Sequence, residues 1–354
     1  MQAIAVRRGE TEPTRIDIPR PEPEDGEALV RILRVGIDGT DHEVLEAGQG
    51  DYPEDAEYMV LGHEAVGVVE DPHGTDLNAG AVVVPTVRRR PPAGTNEYFE
   101  RGEPDMAPSG YHVERGIVGA HGFMAEYVTS PAEYLVEIPE RLAEVGCFVE
   151  PISITEKAME HAYASREAFE WSPEQALVLG NGALGLVTLA MFRQEFEETY
   201  CLGRRDRPDP TIDIIERLGA TYVDSRETPV DVIPGEHGGM DVIYEATGYA
   251  KHPLQAVHGL APNGVAALVG ISSPWEFEVD GGSLHTELVV HNKALVGTVN
   301  SNTRHFQQAT RTLRALPDWL FEELITTVAA PENVAPAFED DDDQIKAVVE
   351  FDTL

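Results

Sequence analysis

Positive charge is scarce in this chain. Its 354 residues contain 26 Lys and Arg residues against 63 Asp and Glu residues, a formal net charge of −37. No basic face is available to neutralise phosphate groups, which argues against nucleic-acid binding. Such acidity can also accompany disorder, but 42% of the residues are hydrophobic and they are spread along the whole length, as folded domains require.

Lysine is the scarcer of the two strong cations, and the chain has four: Lys157, Lys251, Lys293 and Lys346. An acidic, lysine-poor chain with a hydrophobic core suits a salt-saturated cytoplasm. There, salt screens the self-repulsion and surface carboxylates keep the protein hydrated. We therefore expect a halophilic protein, with an ordinary acidic enzyme as the alternative.

Cysteine and long apolar runs are lacking as well. The two cysteines, Cys147 and Cys201, cannot form a disulfide framework, and their apolar contexts predict burial. The N-terminal residues contain no apolar signal region. The most apolar run, residues 176–192, is short for a membrane span and is broken by glycines. These features predict a cytoplasmic protein with no membrane partner.

The order of the predicted elements indicates the fold class. Residues 28–35, 65–70 and 81–87 have strand-like patterns, separated by Pro- and Gly-rich joints. From residue 173 onward, apolar strands alternate with helices, the pattern of βαβ units and a parallel sheet. The strands are predicted at 176–179, 198–202, 241–245, 264–270 and 294–298, and the helices at 184–197 and 211–218. Two more helices, at 303–316 and 320–328, and a strand at 347–351 complete an α/β chain.

A glycine motif at the start of this alternating region predicts a dinucleotide site. In the sequence LVLGNGALG, the glycines Gly180, Gly182 and Gly185 have the spacing G-x-G-x-x-G between a strand and a helix. Gly180 permits a tight turn, Gly182 lets backbone N–H groups approach the pyrophosphate, and Gly185 allows the helix to pack closely. Asn181, Ala183 and Leu184 complete the turn.

The end of the second strand of this unit indicates which dinucleotide binds. NAD enzymes place an acidic residue there, whereas this chain has Gly203, Arg204 and Arg205. Glycine leaves room, and two arginines can bind a 2′-phosphate bidentately. We expect NADP to be preferred, with NAD as a secondary cofactor because Asp206 follows.

Three short segments upstream carry metal-ligating residue types. Gly36–His42 contains Asp38, His63 and Glu64 are adjacent, and Glu150 precedes a proline. In this order, ahead of a nucleotide-binding unit, the segments resemble those of the zinc-dependent medium-chain dehydrogenase/reductase family. Within that family, the chain is most similar to archaeal, and by composition haloarchaeal, glucose dehydrogenases. The cues are 88–91, 102–106, 114–117 and 121–127.

This resemblance implies the domains and the metal site. It implies a mostly β, GroES-like catalytic domain at 1–155, completed by about 305–354, and a Rossmann doubly wound parallel sheet at 156–304. Asp38, His63 and Glu150 match the zinc ligands, and Glu64 is a further candidate. Two departures stand out. Asp38 replaces the usual Cys, and the segment 88–110 lacks the four Cys of a structural zinc lobe, so we expect one catalytic zinc and no structural zinc.

The resemblance also implies the reaction and the residues that serve it. It implies oxidation of β-D-glucose at C1 to gluconolactone, with hydride transfer to NADP. Thr40, Glu64 and Glu150 are the catalytic candidates, and the sugar candidates are Thr40, Glu114, Glu150 and Asn300. The nicotinamide side is expected at Thr247, Gly270, Ile271, Ser272, Thr298, Val299 and Asn300. Association through the edge of the parallel sheet, as a homodimer or homotetramer, is expected by the same resemblance.

Two alternatives remain open at this point. Another aldose, a polyol or a simple alcohol could be the substrate, since nothing in the residues fixes the sugar. A metal-free quinone-reductase-like protein could retain the glycine motif, and the absence of Cys at position 38 leaves room for it.

Overall fold

The computed structural model describes residues 1–46, 51–339 and 341–354, and divides the chain into two compact units. Unit 1 comprises Met1–Ser153 and Asn300–Leu354, and unit 2 comprises Ile154–Val299.

The strands are β1 (Gln2–Arg7), β2 (Thr14–Asp17), β3 (Glu27–Ile37), β4 (Tyr58–Val60), β5 (Glu64–Asp71), β6 (Val82–Pro85), β7 (Arg88–Arg89), β8 (Val113–Arg115), β9 (Gly119–Ala120), β10 (Tyr127–Pro131), β11 (Leu135–Glu137), β12 (Gln175–Leu179), β13 (Glu198–Gly203), β14 (Thr221–Asp224), β15 (Met240–Glu245), β16 (Leu260–Leu268), β17 (Ala294–Gly297), β18 (Ile325–Ala329) and β19 (Lys346–Glu350). The α-helices are α1 (Gly39–Glu46), α2 (Glu97–Glu100), α3 (Val149–Ala164), α4 (Ala183–Glu195), α5 (Pro210–Arg217), α6 (Ile233–His237), α7 (His252–Gly259), α8 (Gly281–Val290), α9 (Thr303–Ala315) and α10 (Asp318–Leu324).

Unit 1 is built around one mixed sheet in the order β11-β6-β5-β3-β19-β18, with β10 also paired to β3. The long strand β3 lies at its centre and pairs antiparallel with β5, β10 and β19. Two three-stranded sheets, β2-β1-β4 and β7-β8-β9, complete the unit. Its core is a cluster of mostly Val, Ile, Leu, Met and Ala side chains from these strands.

Unit 2 contains a six-stranded parallel sheet in the order β14-β13-β12-β15-β16-β17. Its strands read as continuous apolar runs because a parallel sheet is buried on both faces. The strand order reverses between β12 and β15, and ligands bind beside the carboxyl ends of the strands at such a switch point. The glycine motif, residues 180–185, follows β12 and therefore lies at that edge.

The fold class predicted from the sequence, an α/β chain with a parallel sheet after residue 173, is confirmed. One element was predicted wrongly. Residues 320–328 were expected to be helical, but α10 ends at Leu324 and the chain continues as β18. The sequence Ile325-Thr326-Thr327-Val328 is β-branched throughout, and its strand pairs parallel with β19. Among the described residues, no helix is both long enough and apolar enough to cross a membrane.

Candidate metal and dinucleotide sites

Unit 1 gathers the predicted metal ligands from three separate segments. Asp38 follows β3, His63 and Glu64 lie at the start of β5, and Glu150 lies in the first turn of α3. Ligand-type atoms of His63, Glu64 and Glu150 all lie within 4.8 Å of one another, and Nε2 of His63 lies 3.5 Å from Oδ2 of Asp38. His63, Glu64 and Glu150 are buried, whereas the Asp38 side chain is 30% exposed.

The donor set and its spacing fit Zn²⁺. Tetrahedral zinc with bonds of about 2.0–2.2 Å keeps its ligand atoms roughly 3.3–3.6 Å apart, which agrees with the His63–Asp38 separation. One imidazole and carboxylate oxygens are accepted zinc ligands. Nδ1 of His63 is buried and has no hydrogen-bond partner among the described residues. The residues thus fit the ion that the sequence predicts.

Hydrogen bonds from the residues that follow Asp38 orient its carboxylate. Oδ1 of Asp38 accepts hydrogen bonds from the backbone N–H groups of Thr40, at 2.9 Å, and Asp41, at 3.2 Å, at the start of α1. These contacts resemble a helix N-cap and hold the carboxylate while Oδ2 faces His63. The hydroxyl of Thr40 also donates to Oδ2 at 3.3 Å. The aspartate therefore uses one oxygen for α1 and the other for the cluster, whereas a cysteine would offer a single sulfur for both.

The carboxyl groups of the cluster are strongly perturbed. Burial raises the pKa of Glu150 to about 8 and that of Asp41 to about 7, with neighbouring carboxylates adding to both. Burial also opposes ionisation of Asp38, but the nearby His63 outweighs it and the Asp38 pKa lies below its usual range. The pKa of His63 is raised, because Asp38, Asp41 and Glu150 outweigh its burial. The cluster thus favours a bound cation.

Two residues of this region were not singled out from the sequence. Lys346, at the start of β19, is buried and forms an ion pair with the buried Glu64. Gly36 provides the space, because a Cβ there would overlap Oε2 of Glu64. The rarity of lysine in the chain was the available signal for Lys346, since a lysine in an apolar strand of so lysine-poor a sequence needs an acidic partner.

Asp41 is the second residue that was missed. Its carboxylate is buried, accepts from the N–H groups of Gly62 and Asp38, and lies 4.0 Å from Nδ1 of His63. It belongs to a ligand-type group with Asp38 and His63. Asp41 connects the turn that contains Asp38 to the turn before β5, which fixes the two segments relative to each other.

The sugar candidates Glu114 and Asn300 meet in a buried polar network. The amide of Asn300 donates to Oε1 of Glu114 at 3.3 Å, and Nε of Arg88 donates to the same oxygen at 2.8 Å. Nη1 of Arg88 also donates to the carbonyl oxygens of Asp105, at 2.8 Å, and Ala107, at 3.2 Å. A buried arginine thus connects Glu114 to the loop predicted to lack structural zinc.

A pair of serines connects Glu150 to Asn300. The Ser153 hydroxyl lies 2.5 Å from both the carbonyl oxygen of Glu150 and Oγ of Ser301. Since a hydroxyl has one proton, Ser153 donates to Glu150 and Ser301 donates to Ser153. The backbone N–H of Ser301 donates to the Asn300 side chain at 2.8 Å. This chain of bonds connects a predicted zinc ligand to two predicted sugar ligands within unit 1.

In unit 2, the glycine motif forms the turn between β12 and α4. A Cβ on Gly185 would overlap the carbonyl oxygen of Gly180, so α4 can approach the turn only with glycine there. Gly182 is the N-cap of α4 and faces open space. Ala183 and Leu184 form the first turn of the helix, whose unpaired N–H groups and positive dipole end are ready for a phosphate.

The predicted 2′-phosphate segment lies directly after β13. A Cβ on Gly203 would come within 2.8 Å of Asn181 Oδ1 and of the Tyr222 ring, so glycine leaves space for both. Arg204 is exposed. Nε of Arg205 lies 3.8 Å from the carboxylate of Asp209, the N-cap of α5.

The nicotinamide-side candidates lie at the carboxyl ends of β15, β16 and β17. The Thr247 N–H and hydroxyl donate to the buried carboxylate of Glu245. A Cβ on Gly270 would overlap the backbone of Gly248, so the loops that follow β15 and β16 pack closely only with glycine at position 270. The remaining candidates differ in exposure: Ile271, Ser272 and Val299 are exposed, Thr298 is half-buried, and Asn300 is buried.

Comparison with known proteins identifies the family. The model of the alcohol dehydrogenase GroES-like domain matches residues 24–140, and that of the glucose dehydrogenase C-terminus matches residues 143–351. The chain belongs to the glucose dehydrogenase family. The membership in the zinc-dependent medium-chain dehydrogenases predicted from the motifs is therefore confirmed.

Relatives within the glucose dehydrogenase family are similar over the full chain. The chain is 64% identical to the glucose 1-dehydrogenase of Haloarcula marismortui over 100% of both sequences. It is 37% identical to that of Methanocella arvoryzae, over 99% of both. The structure of Haloferax mediterranei glucose dehydrogenase in complex with NADP, Zn and gluconolactone matches with a TM-score of 0.98 and 62% identity, over 100% of both chains.

A more distant structure supports the fold alone. The 2R,3R-butanediol dehydrogenase of Bacillus subtilis has a TM-score of 0.80 at 21% identity, over 99% of both chains. The GroES-like and Rossmann architecture predicted from the sequence is confirmed by these matches.

Proposed function

We propose that this protein oxidises β-D-glucose at C1 to gluconolactone and transfers the hydride to NADP, with NAD as a secondary cofactor and one catalytic Zn²⁺. The observation that carries the proposal is that His63 of unit 1 lies in two groups of ligand-type atoms, one with Asp38 and one with Glu150, in a chain whose unit 2 has the dinucleotide turn. The Haloferax relative, crystallised with NADP, Zn and gluconolactone, supports the same assignment.

The ligand residues hold and orient the ion. Asp38, His63 and Glu150 would bind zinc, and Glu64, paired with Lys346, is the adjacent carboxylate that can exchange into the ligand set. When bound, Zn²⁺ supplies Lewis-acid polarisation of the C1 oxygen. Burial of His63 and Glu150 excludes water, which strengthens the electrostatic interactions inside the site.

Thr40 is the proposed proton relay. Its hydroxyl donates to Oδ2 of Asp38, which leaves the lone pairs of Oγ1 free to accept the proton of the C1 hydroxyl. Thr40 would thus hold the proton of the C1 hydroxyl, which is finally released to solvent, and NADP, when bound, would supply the hydride acceptor. The cofactor supplies the redox chemistry, and the protein supplies orientation.

Glu114, Glu150 and Asn300 are the proposed partners of the sugar hydroxyls. Carboxylate oxygens accept from hydroxyl groups, and the Asn300 amide can donate as well as accept. Arg88 and Asn300 fix the Glu114 carboxylate within the buried network. A substrate without a hydroxyl at such a position leaves a buried polar group unpaired, which gives selectivity for sugars over simple alcohols.

A second copy of the chain is the proposed partner of unit 2, in a homodimer or homotetramer. None of the residues of α8 is buried, although the helix is rich in apolar residues, and Val289 and Val290 are 63% and 64% exposed. Strand β17 is one of the two outer strands of the parallel sheet. An exposed apolar helix and an outer strand are each typical surfaces for association. Light scattering in molar KCl measures the mass, and a monomer would contradict this part of the proposal. The cytoplasmic location stays a prediction.

The experiment is reduction of NADP with a panel of substrates in molar KCl, before and after treatment with a chelator. We expect glucose to react, ethanol and threonine to remain inactive, the chelator to abolish the reaction, and Zn²⁺ to restore it. Activity on ethanol but on no aldose would overturn the substrate class. Full activity after verified removal of metal would instead overturn the zinc assignment.

A further inference from the structure

Three arginines surround the end of β13, and their partners differ. Arg226 pairs with the carboxylates of Asp224 and Asp206, and Arg205 approaches Asp209. Arg204 is exposed, and it is close enough to Asp224 to affect that carboxylate electrostatically. The carboxylate partners of these arginines thus decide how much of their positive charge remains for a 2′-phosphate.

Tyr222 holds the backbone of the loop at Arg205. Its hydroxyl accepts from the Arg205 N–H at 2.8 Å and donates to the Arg205 carbonyl oxygen at 3.0 Å. The ring lies against Gly203, where an added Cβ would come within 2.8 Å of Cε2. Because β14 pairs with β13 in parallel register, Tyr222 is fixed by the sheet rather than by the loop that it holds.

Arg226 holds the same loop one residue further on. Its guanidinium donates to both oxygens of Asp206, at 2.7 and 3.1 Å. It also donates through Nε to both oxygens of Asp224, which ends β14, at 2.9 and 3.1 Å. The ion pair with Arg226 offsets part of the negative charge of Asp206, the acid nearest to Arg204 and Arg205 in sequence. Without Arg226, the loop would lose an attachment and would gain an unpaired negative charge beside the expected phosphate.

We propose that Tyr222 and Arg226 are positioning residues for NADP selectivity. They hold the segment 204–206 so that Arg204 and Arg205 face the 2′-phosphate while the charge of Asp206 is masked. This inference rests on the NADP preference of the proposed function. It explains part of that preference by two residues outside the glycine motif and the arginine pair. Tyr222 lies on β14, and Arg226 follows that strand.

The test compares the dissociation constants of NADP and NAD for four proteins in fixed salt. These are the wild type, Tyr222→Phe, Arg226→Met and the double variant Arg226→Met with Asp206→Asn. We expect Tyr222→Phe to weaken NADP binding about fivefold and Arg226→Met about tenfold, with NAD changing less than twofold. Since Asp206→Asn removes the unmasked charge, the double variant should regain much of the NADP affinity.

Matched controls separate this role from a general effect on the fold. Tyr200→Phe removes another tyrosine hydroxyl of unit 2, one that donates to the carboxylate of Glu198 rather than to the loop. Arg90→Met removes an arginine of similar exposure, 39% against 41%, that pairs with Glu133 in unit 1. Neither should change the ratio of NADP to NAD affinity.

The outcomes distinguish the two levels of the proposal. A wild type that binds NADP and NAD equally would overturn the NADP preference and this inference with it. A wild type that prefers NADP, with variants that weaken both cofactors equally or a double variant that regains nothing, would overturn the positioning role alone.

Discussion

The two candidate sites of this protein are built in opposite ways. The dinucleotide turn is contiguous, because Gly180–Gly185 lies within six residues between β12 and α4. The metal cluster comes from Asp38, His63, Glu64 and Glu150, on three segments of unit 1, with Lys346 added from a fourth. The turn depends on backbone shape that local sequence dictates. The cluster depends on the tertiary structure that brings buried charges together.

This difference predicts separable failures. Loss of a cluster residue should remove metal and chemistry but leave the nucleotide bound, whereas damage to the turn should do the reverse. Four predictions test that separation, beginning with the largest expected effect.

Glu150→Gln should lower glucose oxidation at least about 1,000-fold, since it removes a proposed zinc ligand and with it several kcal/mol of transition-state stabilisation. Zinc content after dialysis should fall, and the dissociation constant of NADP should stay within about twofold of the wild type. Glu137→Gln, at an exposed glutamate, is the matched control. If Glu150→Gln lost both NADP binding and zinc, the prediction that the two sites fail separately would be wrong.

Gly185→Val should weaken NADP binding by roughly tenfold to a hundredfold, because overpacking against Gly180 costs about 1–3 kcal/mol. Zinc content should remain unchanged, as measured by atomic emission. Gly182→Ala is the control that faces open space in the nucleotide-free protein, so its stability should be unaltered. A variant at Gly185 that loses zinc but keeps NADP would contradict the prediction.

The affinity of the metal-free protein for Zn²⁺ should fall as the pH is lowered from about 8. Burial raises the pKa of Glu150 to about 8, and the pKa of His63 is raised as well because nearby carboxylates outweigh its burial, so both ligands become protonated on that descent. A proton must leave each ligand before zinc binds, which costs about tenfold in affinity per pH unit per proton. Competition titrations at pH 6, 7 and 9 measure the slope. A flat profile would mean that Glu150 and His63 are already deprotonated in the metal-free protein. NADP affinity should not share this slope.

Asn300→Gly should raise the KM for glucose by about fivefold, the equivalent of one hydrogen bond worth about 1 kcal/mol. Asn300 has a φ of 57°, a left-handed conformation that glycine adopts without strain, so the variant removes the amide and keeps the backbone. The KM for NADP should change less. Asn292→Gly, at another asparagine with positive φ, is the control. Equal changes in both KM values would place Asn300 outside the sugar-binding role.

The sequence predicted well where the signal was local. The strands and helices around the glycine motif lie within a few residues of their predicted positions, since hydrophobic periodicity and glycine spacing act over short distances. The prediction failed at residues 320–328, where the apolar spacing resembled that of a helix. The β-branched residues after Leu324 form a strand instead, because they pair with β19, a partner that is not visible from local sequence.

The lysines show the same limit. Their scarcity was visible in the composition, and the acidic chain was expected to concentrate its charge at the surface. The structure buries Lys157 and Lys346 and covers all but 5% of the Lys293 side chain, and each of the three donates to a carbonyl oxygen or a carboxylate. Three of the four lysines thus pair with polar groups inside the protein, a placement that composition cannot reveal.

The sequence by itself determined the α/β class, the glycine turn and the types of residue available as metal ligands, because these follow from periodicity, backbone freedom and side-chain chemistry. Only the tertiary structure decided which acids are buried, that Lys346 neutralises Glu64, and that Arg88 and Asn300 share Glu114. Burial sets the energy of a charge, and burial is a property of segments brought together from distant parts of the chain.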